Sequence, residues 1–226
     1  MKRTLGSLTL SRLCIAVACC FVVFATVPSY ADGIPAFSFT SANFATIDPS
    51  TAELGYAFTV GSDPITVGAL GYINDGFNGT HTIAIFNMAT QQLISGASAT
   101  VTTVGGGPTS TTFTYTDLDA PVVLAANTQY QIVSQFFRNE YYFSNAQGFT
   151  SYPGLTLDIT VFDNYGNPPA FPTFATGRYG PTVPGDFGPN FTILDTSTTP
   201  VPEPSSIYLI VSGILGAGVT LRRRRS

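Results

Sequence analysis

Short runs of alternating apolar and polar residues recur along the middle of the chain. Residues 81–86, His-Thr-Ile-Ala-Ile-Phe, put Ile83 and Ile85 on one face and Ala84 on the other, which is the period of a β-strand. Similar segments are rich in Val, Ile, Thr, Phe and Tyr. The pattern predicts seven strands, at 56–60, 65–73, 81–87, 99–104, 111–116, 130–137 and 155–162.

Clusters of glycine and proline separate these runs. Gly-Gly-Gly-Pro at 105–108 and Gly-Asn-Pro-Pro at 166–169 are typical of turns. The middle of the chain has no helical periodicity. We therefore predict an all-β fold, an antiparallel β-sandwich, with a jelly-roll-like topology first and an immunoglobulin-like topology as the alternative, because periodicity does not determine strand order.

The first 31 residues have the pattern of a secretory signal peptide. Three basic residues and no acidic ones lie in residues 1–12, followed by an uncharged apolar run at 13–27. Ser29-Tyr30-Ala31 puts small residues before a cut that would start the mature chain at Asp32. All three cysteines lie in this segment, so the mature chain is expected to fold without disulfides.

The C-terminal 27 residues, 200–226, have a different organisation. Pro202-Glu203-Pro204 precedes seventeen uncharged residues, 205–221, and then Arg222, Arg223, Arg224 and Arg225. A helix of that length rises about 25 Å, a little under the ~30 Å hydrocarbon core, and long arginine side chains can make up the difference, so we predict a single transmembrane helix at 205–221. Arginines beyond it favour the cytoplasmic side and act as a stop-transfer signal, so the preceding domain is expected to face outward.

This order of elements resembles the PEP-CTERM sorting tail of Gram-negative bacteria. The resemblance implies that an exosortase, a membrane cysteine transpeptidase, recognises Pro202, Glu203 and Pro204 and cuts the tail. It also implies a link with exopolysaccharide and biofilm matrix. The expected partners are the secretion translocon, signal peptidase, the inner membrane before processing, and the exosortase. The expected location is the inner membrane as a precursor, then the cell surface or extracellular matrix.

The region between these ends, 32–199, is long enough for one domain with a core of its own. It has two basic residues, Arg138 and Arg178, against twelve acidic ones, a formal net charge of −10. Because phosphate recognition depends on basic clusters, this charge argues against nucleic acid as a partner. It is compatible with neutral glycans, with cations or with solubility alone.

A second resemblance covers residues 57–143. It rests on Ile-Thr-Val-Gly-Ala-Leu-Gly-Tyr at 65–72, Gly-Thr-His-Thr-Ile-Ala-Ile-Phe at 79–86, Pro-Val-Val-Leu at 121–124 and Asn-Thr-Gln-Tyr at 127–130. These segments resemble an uncharacterised extracellular β-sandwich family often found before PEP-CTERM tails. That family has no assigned chemistry, so the resemblance implies a fold and not an activity.

Catalytic signals are weak in the middle region. His81 is the only histidine, so a zinc site or a His-dependent nucleophile would depend on it alone; we expect it to be a locally hydrogen-bonded hairpin residue. The two glutamates, Glu53 and Glu140, lie in no glycosidase motif. A glycosidase needs only a suitably placed pair of acids, however, and such a pair is not excluded by the sequence. The chain is expected not to be an enzyme, and a glycoside hydrolase is a distant alternative.

Two turns and a group of aromatic residues are the candidate binding sites. Two turns, 74–79 and 163–167, combine Asp and Asn with glycine, which suits Ca²⁺; no other cofactor is expected. Sugar-binding surfaces use aromatic faces. The candidate calcium ligands are Asp75, Asn78, Asp163 and Asn167, and the candidate glycan platforms are Tyr141, Tyr142 and Tyr165. The expected function is structural or adhesive in exopolysaccharide, and the alternative is a carbohydrate-binding, lectin-like module for neutral exopolysaccharide.

Overall fold

The computed structural model describes residues 33–48, 51–74, 79–104, 111–137, 140–165, 170–179 and 188–194, with the backbone alone at 42–48, 140–145, 164–165 and 179. All of them lie in one unit, Ala31–Ser226. Within these residues the secondary structure is strand, without helix. None of the described segments forms a helix that is long and apolar enough to cross a membrane. The predicted signal peptide, 1–31, and the predicted tail, 200–226, lie outside the described residues.

The described residues form fourteen strands: Ile34–Pro35 (β1), Phe37–Ser38 (β2), Ser41–Asp48 (β3), Thr51–Val60 (β4), Ile65–Ile73 (β5), Thr80–Asn87 (β6), Leu93–Thr102 (β7), Phe113–Leu124 (β8), Gln129–Phe136 (β9), Glu140–Gln147 (β10), Thr150–Ser151 (β11), Leu155–Tyr165 (β12), Gly177–Tyr179 (β13) and Pro189–Ile193 (β14). All seven predicted strands are present; β5 has its predicted bounds, β6 and β9 differ by one residue, and β4, β7, β8 and β12 differ by more. The prediction at 111–116 missed the second half of β8. In the structure, β8 continues through an irregularity between Asp117 and Val122.

Two larger antiparallel sheets carry most of the structure. The four-stranded sheet has the order β1-β14-β5-β8, and the six-stranded sheet has the order β13-β12-β4-β9-β6-β7. One hydrophobic cluster takes residues from both sheets, including Phe58, Ile85, Leu70 and Phe191. The rings of Phe58 and Phe191 lie 5.0 Å apart across the interface. The sheets therefore pack face to face, as in a β-sandwich.

The strand β6 confirms the predicted alternation. Ile83 and Ile85 belong to the cluster between the sheets, whereas Ala84 and Phe86 belong to a second cluster on the outer face of the six-stranded sheet. A strand with apolar residues on both faces is covered on both sides. The outer face of this sheet is accordingly covered by the segment 170–179, which we call the strap.

A two-stranded ribbon extends the centre of the six-stranded sheet. Ala52 of β4 faces Phe136 of β9, Asp48 of β3 faces Glu140 of β10, and Phe37 of β2 faces Ser151 of β11. The residue numbers of each pair are symmetric about the same point in the chain, so the three ladders continue one another. Nineteen extended residues would span about 60 Å, yet the ring of Phe37 lies 4.8 Å from that of Tyr56. The ribbon therefore folds back onto the sandwich, where Phe37 of β2 joins the core and Phe149 and Tyr152, on either side of β11, pack against it.

The two ends of the sandwich differ. At one end, which we call the terminal end, β1 begins and β14 finishes, with Ile34 facing Ile193; the β4–β5, β6–β7 and β8–β9 connections there have four or five residues. At the opposite end, the loop end, the β5–β6, β7–β8 and β12–β13 connections have six, ten and eleven residues. Long connections are where binding residues concentrate in β-sandwiches.

Candidate functional site

The fold collects the described candidate residues at the loop end. Tyr165 ends β12 there and faces Thr51 at the start of β4. Tyr141 and Tyr142 lie near the start of β10, in the ribbon that leaves the same end. The structure describes these three tyrosines by backbone alone. It gives their positions on the strands, and glycan binding by them stays a prediction. Asp75, Asn78, Asn167, Pro202, Glu203, Pro204, Arg222, Arg223, Arg224 and Arg225 lie outside the described residues.

Side-chain and main-chain hydrogen bonds hold the bases of two connections at the loop end. Asn74, just after β5, accepts a bond from the Thr114 hydroxyl at 2.7 Å and donates to the Thr112 hydroxyl at 3.3 Å. At the neighbouring connection the N–H of Thr103 donates to the Gly79 carbonyl at 2.9 Å. The strands that carry the long connections are therefore fixed in position where they leave the sheets.

Asp163, a candidate calcium ligand, holds the strap. Its Oδ2 accepts from the Thr176 N–H at 2.8 Å, and its Oδ1 accepts from the Thr176 hydroxyl at 3.0 Å and the Gly177 N–H at 3.1 Å. A carboxylate that accepts several protein hydrogen bonds needs no cation to satisfy its oxygens. Among the described residues no three His, Cys, Asp or Glu side chains come together as a metal site.

Glu53 lies beside Asp163, and its role was not predicted from the sequence. It faces Asp163 across the β4–β12 ladder and is fully buried. Its Oε1 accepts from the Thr173 N–H at 2.7 Å and its Oε2 from the Thr173 hydroxyl at 2.9 Å. The available signal was a glutamate inside an apolar strand, because buried acids are rare unless their oxygens are bonded.

The two carboxylates form adjacent anchors for the main chain. The Cβ atoms of cross-strand neighbours lie about 5 Å apart, and a retaining glycosidase also requires two nearby acids. Both carboxylates are occupied by bonds from the strap, however, and Glu53 has no exposed surface. Both carboxylates therefore hold the strap in place.

His81 lies in the core and not in an exposed hairpin. Its Nδ1 lies 3.1 Å from the Gln135 carbonyl oxygen of β9, so the expectation of a local hydrogen bond is wrong; the strand pairing brings a residue 54 positions away beside it. Because a carbonyl only accepts, Nδ1 donates. The imidazole stacks on the ring of Tyr72, with centroids 3.6 Å apart and planes 7° apart. It thereby joins the two sheets near the loop end.

Burial controls the ionisation of His81 and of two core tyrosines. Loss of solvent lowers the pKa of His81 from 6.5 to about 4, against a smaller opposing effect of the Gln135 carbonyl. Burial likewise raises the pKa of Tyr56 well above its usual value, with a further contribution from nearby Tyr115. Burial raises the pKa of Tyr115 in the same direction. All three side chains are therefore neutral at pH 7.

Comparison with known proteins shows the family. No curated protein matches this chain. The model of the family described as "Domain of unknown function (DUF4082)" matches residues 38–187. The match begins in β2, ends after β13 and includes Glu53, Asp163 and the strap. Because it spans 150 of the 226 residues, the chain belongs to the DUF4082 family.

Proposed function

We propose that this chain is a non-enzymatic, exported surface or matrix protein with a structural or adhesive role in exopolysaccharide. The observation that carries the proposal is the separation of the two ends of the sandwich. Ile34 and Ile193 face each other at the terminal end, whereas the long connections lie at the loop end. A tether that continues from Ile193 into the C-terminal tail leaves the loop end pointing away from the membrane.

The tail supplies the sorting part of the proposal. Signal peptidase cuts after Ala31, and residues 205–221 then hold the precursor in the inner membrane. An exosortase recognises Pro202, Glu203 and Pro204. Pro202 and Pro204, one on each side of Glu203, keep that peptide extended and unpaired, which suits binding by an enzyme. The domain then remains at the cell surface or enters the extracellular matrix.

The finer fold within this proposal is a jelly roll. Eight strands, β1, β4, β5, β6, β7, β8, β9 and β14, numbered one to eight along the chain, give the orders 1-8-3-6 and 2-7-4-5 in the two sheets. Two Greek keys wound into a sandwich produce these orders. They support the jelly-roll topology over the immunoglobulin-like alternative, with β12 and β13 added beside β4.

A carbohydrate-binding module is the second candidate function. The observation that favours it is the position of Tyr141 and Tyr165, on strands that reach the loop end. The net charge of −10 between residues 32 and 199 makes a neutral glycan the suitable ligand class. Titration with soluble neutral oligosaccharides separates the two functions: a lectin saturates with one class, and Tyr165→Ala weakens that binding, whereas a structural matrix protein does not saturate.

The sorting proposal is tested by the intact mass of protein recovered from the producing cells' surface and medium. We expect a chain that starts near Asp32 and ends near Pro204. Glu203→Ala should be exported but should retain residues 205–226 in the membrane fraction, whereas Asp195→Ala, a matched acid outside the motif, should be processed normally. Processing of Glu203→Ala at the normal rate would refute recognition of the tail.

A further inference from the structure

The strap is bound as a peptide ligand is bound. Each of three strands supplies one polar side chain that binds the strap. Glu53 of β4 binds Thr173, and Asp163 of β12 binds Thr176 and Gly177. Gln131 of β9, on the other side of β4 from Asp163, binds Ala175, which lies between these residues along the strap. In the amide orientation that satisfies both groups, Gln131 donates to the Ala175 carbonyl at 3.3 Å and accepts from its N–H at 2.8 Å. Four strap N–H groups are thus bound by side chains.

These contacts select particular residues. The hydroxyls of Thr173 and Thr176 each reach a carboxylate oxygen. Ala175 is fully buried in the outer cluster formed with Ala57, Ala84, Phe86, Val133 and Val161, so a larger side chain does not fit there. A Cβ on Gly177 would overlap the Phe162 carbonyl oxygen. The side chain of Phe174 remains partly exposed and packs edge-on to Phe86.

The outer face therefore recognises the sequence Thr-x-Ala-Thr-Gly through both main chain and side chains. This arrangement is independent of the C-terminal tail and of any sugar. It is a binding site with defined positions, filled in this structure by residues 173–177 of the same chain. Nothing in the contacts requires that the bound segment be continuous with the sheet beneath it.

The connection before Thr173, the first anchored residue of the strap, is longer than a direct path requires. Tyr165 ends β12 two residues after Asp163, which faces Glu53, the residue that binds Thr173. Two residues along a strand and one strand spacing separate the backbones of Tyr165 and Glu53 by roughly 8 Å. Seven residues, Gly-Asn-Pro-Pro-Ala-Phe-Pro at 166–172, reach about 20 Å when extended in the manner of a proline-rich linker. The difference would allow the same segment to bind a neighbouring molecule.

We propose that the outer face of the six-stranded sheet is a peptide-binding groove specific for Thr-x-Ala-Thr-Gly, and that it accepts this segment from a second copy of the chain. Exchange of an identical segment replaces each contact with the same contact, so its cost is low. High local concentration at a surface favours the exchanged form. Copies joined through their straps would form a protein network.

The first test measures peptide binding directly. Ala175→Glu in the exported protein places a charge where the strap is buried and should release the strap while leaving the groove residues unchanged. A capped peptide of residues 172–179, Pro-Thr-Phe-Ala-Thr-Gly-Arg-Tyr, should bind this variant saturably. It should bind the unchanged protein at least about tenfold more weakly, because a filled groove reduces apparent affinity.

Two control peptides make the result specific. Replacement of the peptide's glycine by alanine, or of its central alanine by glutamate, should reduce binding by at least about tenfold, as expected for a steric or charge mismatch of 1.4 kcal/mol or more. Equal binding of all three peptides, or no saturable binding to a variant that still unfolds cooperatively, would overturn the proposed groove.

The second test asks whether the second copy is the occupant. Glu53→Ala combined with Asp163→Ala keeps the strap sequence and breaks the groove, whereas Ala175→Glu keeps the groove and breaks the strap. Native mass spectrometry should detect a one-to-one complex in the mixture and monomers in each variant alone. If the peptide binds but the mixture stays monomeric, the groove serves its own strap and exchange between copies is refuted. Neither result bears on sorting by the tail.

Discussion

Protonation of His81 should destabilise the fold between neutral and mildly acidic pH. The imidazole is fully buried, stacks on Tyr72 at 3.6 Å and donates from Nδ1 to the Gln135 carbonyl oxygen. Burial lowers its pKa from 6.5 to about 4 in the folded protein. In the unfolded chain the pKa returns to about 6.5, because the ring is then surrounded by water.

The sign and size follow from these two pKa values. Between them the unfolded chain binds a proton at residue 81 that the folded chain does not, so the free energy of unfolding falls as the pH falls. The contribution is fully present above pH 6.5 and is lost as the pH approaches 4. At about 1.4 kcal/mol per pH unit, the loss is roughly 3 kcal/mol.

The assay is urea unfolding at several pH values between 7.5 and 4, followed by tyrosine fluorescence. His81→Phe is the matched variant, because it can keep the stack on Tyr72 but cannot take up a proton. It should lose about 1 kcal/mol at pH 7 from the missing hydrogen bond. Its stability should then fall less steeply with acid than that of the unchanged protein, so that its deficit of about 1 kcal/mol at pH 7 becomes an advantage of roughly 2 kcal/mol near pH 4. Parallel pH profiles for the two proteins would refute the reasoning.

Four further substitutions test the packing and the strap. Gly55→Ala should destabilise the protein by more than about 2 kcal/mol in urea unfolding, since its Cβ would overlap the Ile132 carbonyl oxygen; normal stability would show that β4 can shift. Phe58→Ala should cost about 3–5 kcal/mol, whereas Phe171→Ala, at a side chain 41% exposed, should cost less than about 1 kcal/mol; similar losses would contradict the assigned core. Glu53→Ala should cost about 1–3 kcal/mol and speed amide hydrogen exchange in the strap; unchanged exchange would refute its role as an anchor.

The strap changes how the acidic composition of the domain is understood. The excess of acids appears in the sequence as general surface charge, yet Glu53 and Asp163 bind main-chain N–H groups and threonine hydroxyls. Carboxylates that accept hydrogen bonds from the backbone form stronger bonds than neutral acceptors do. Part of the negative charge therefore stabilises the cover of the outer face.

Alternation along single strands determined the β class and the faces of the best strands. Ile65–Ile73 was predicted with its observed bounds, and Ile83 and Ala84 lie on opposite faces as their spacing indicated. Side chains alternate with period two whatever strand lies alongside, so this information is local. The length and composition likewise indicated one domain with a core of its own, rich in aromatic residues.

Only the tertiary structure decided which residues meet. The ladder that places Glu53 beside Asp163 joins positions 110 residues apart, and the pair that holds His81 beside Gln135 joins positions 54 apart. The short strands β1, β2, β11, β13 and β14 escaped prediction because two to five residues carry too little periodicity to be recognised. The ribbon of β3 and β10, with eight residues in each strand, was also not predicted. Alternation with period two shows which face of a strand each side chain occupies. It does not show which other strand pairs with that strand, because pairing depends on long-range burial that a single sequence does not display.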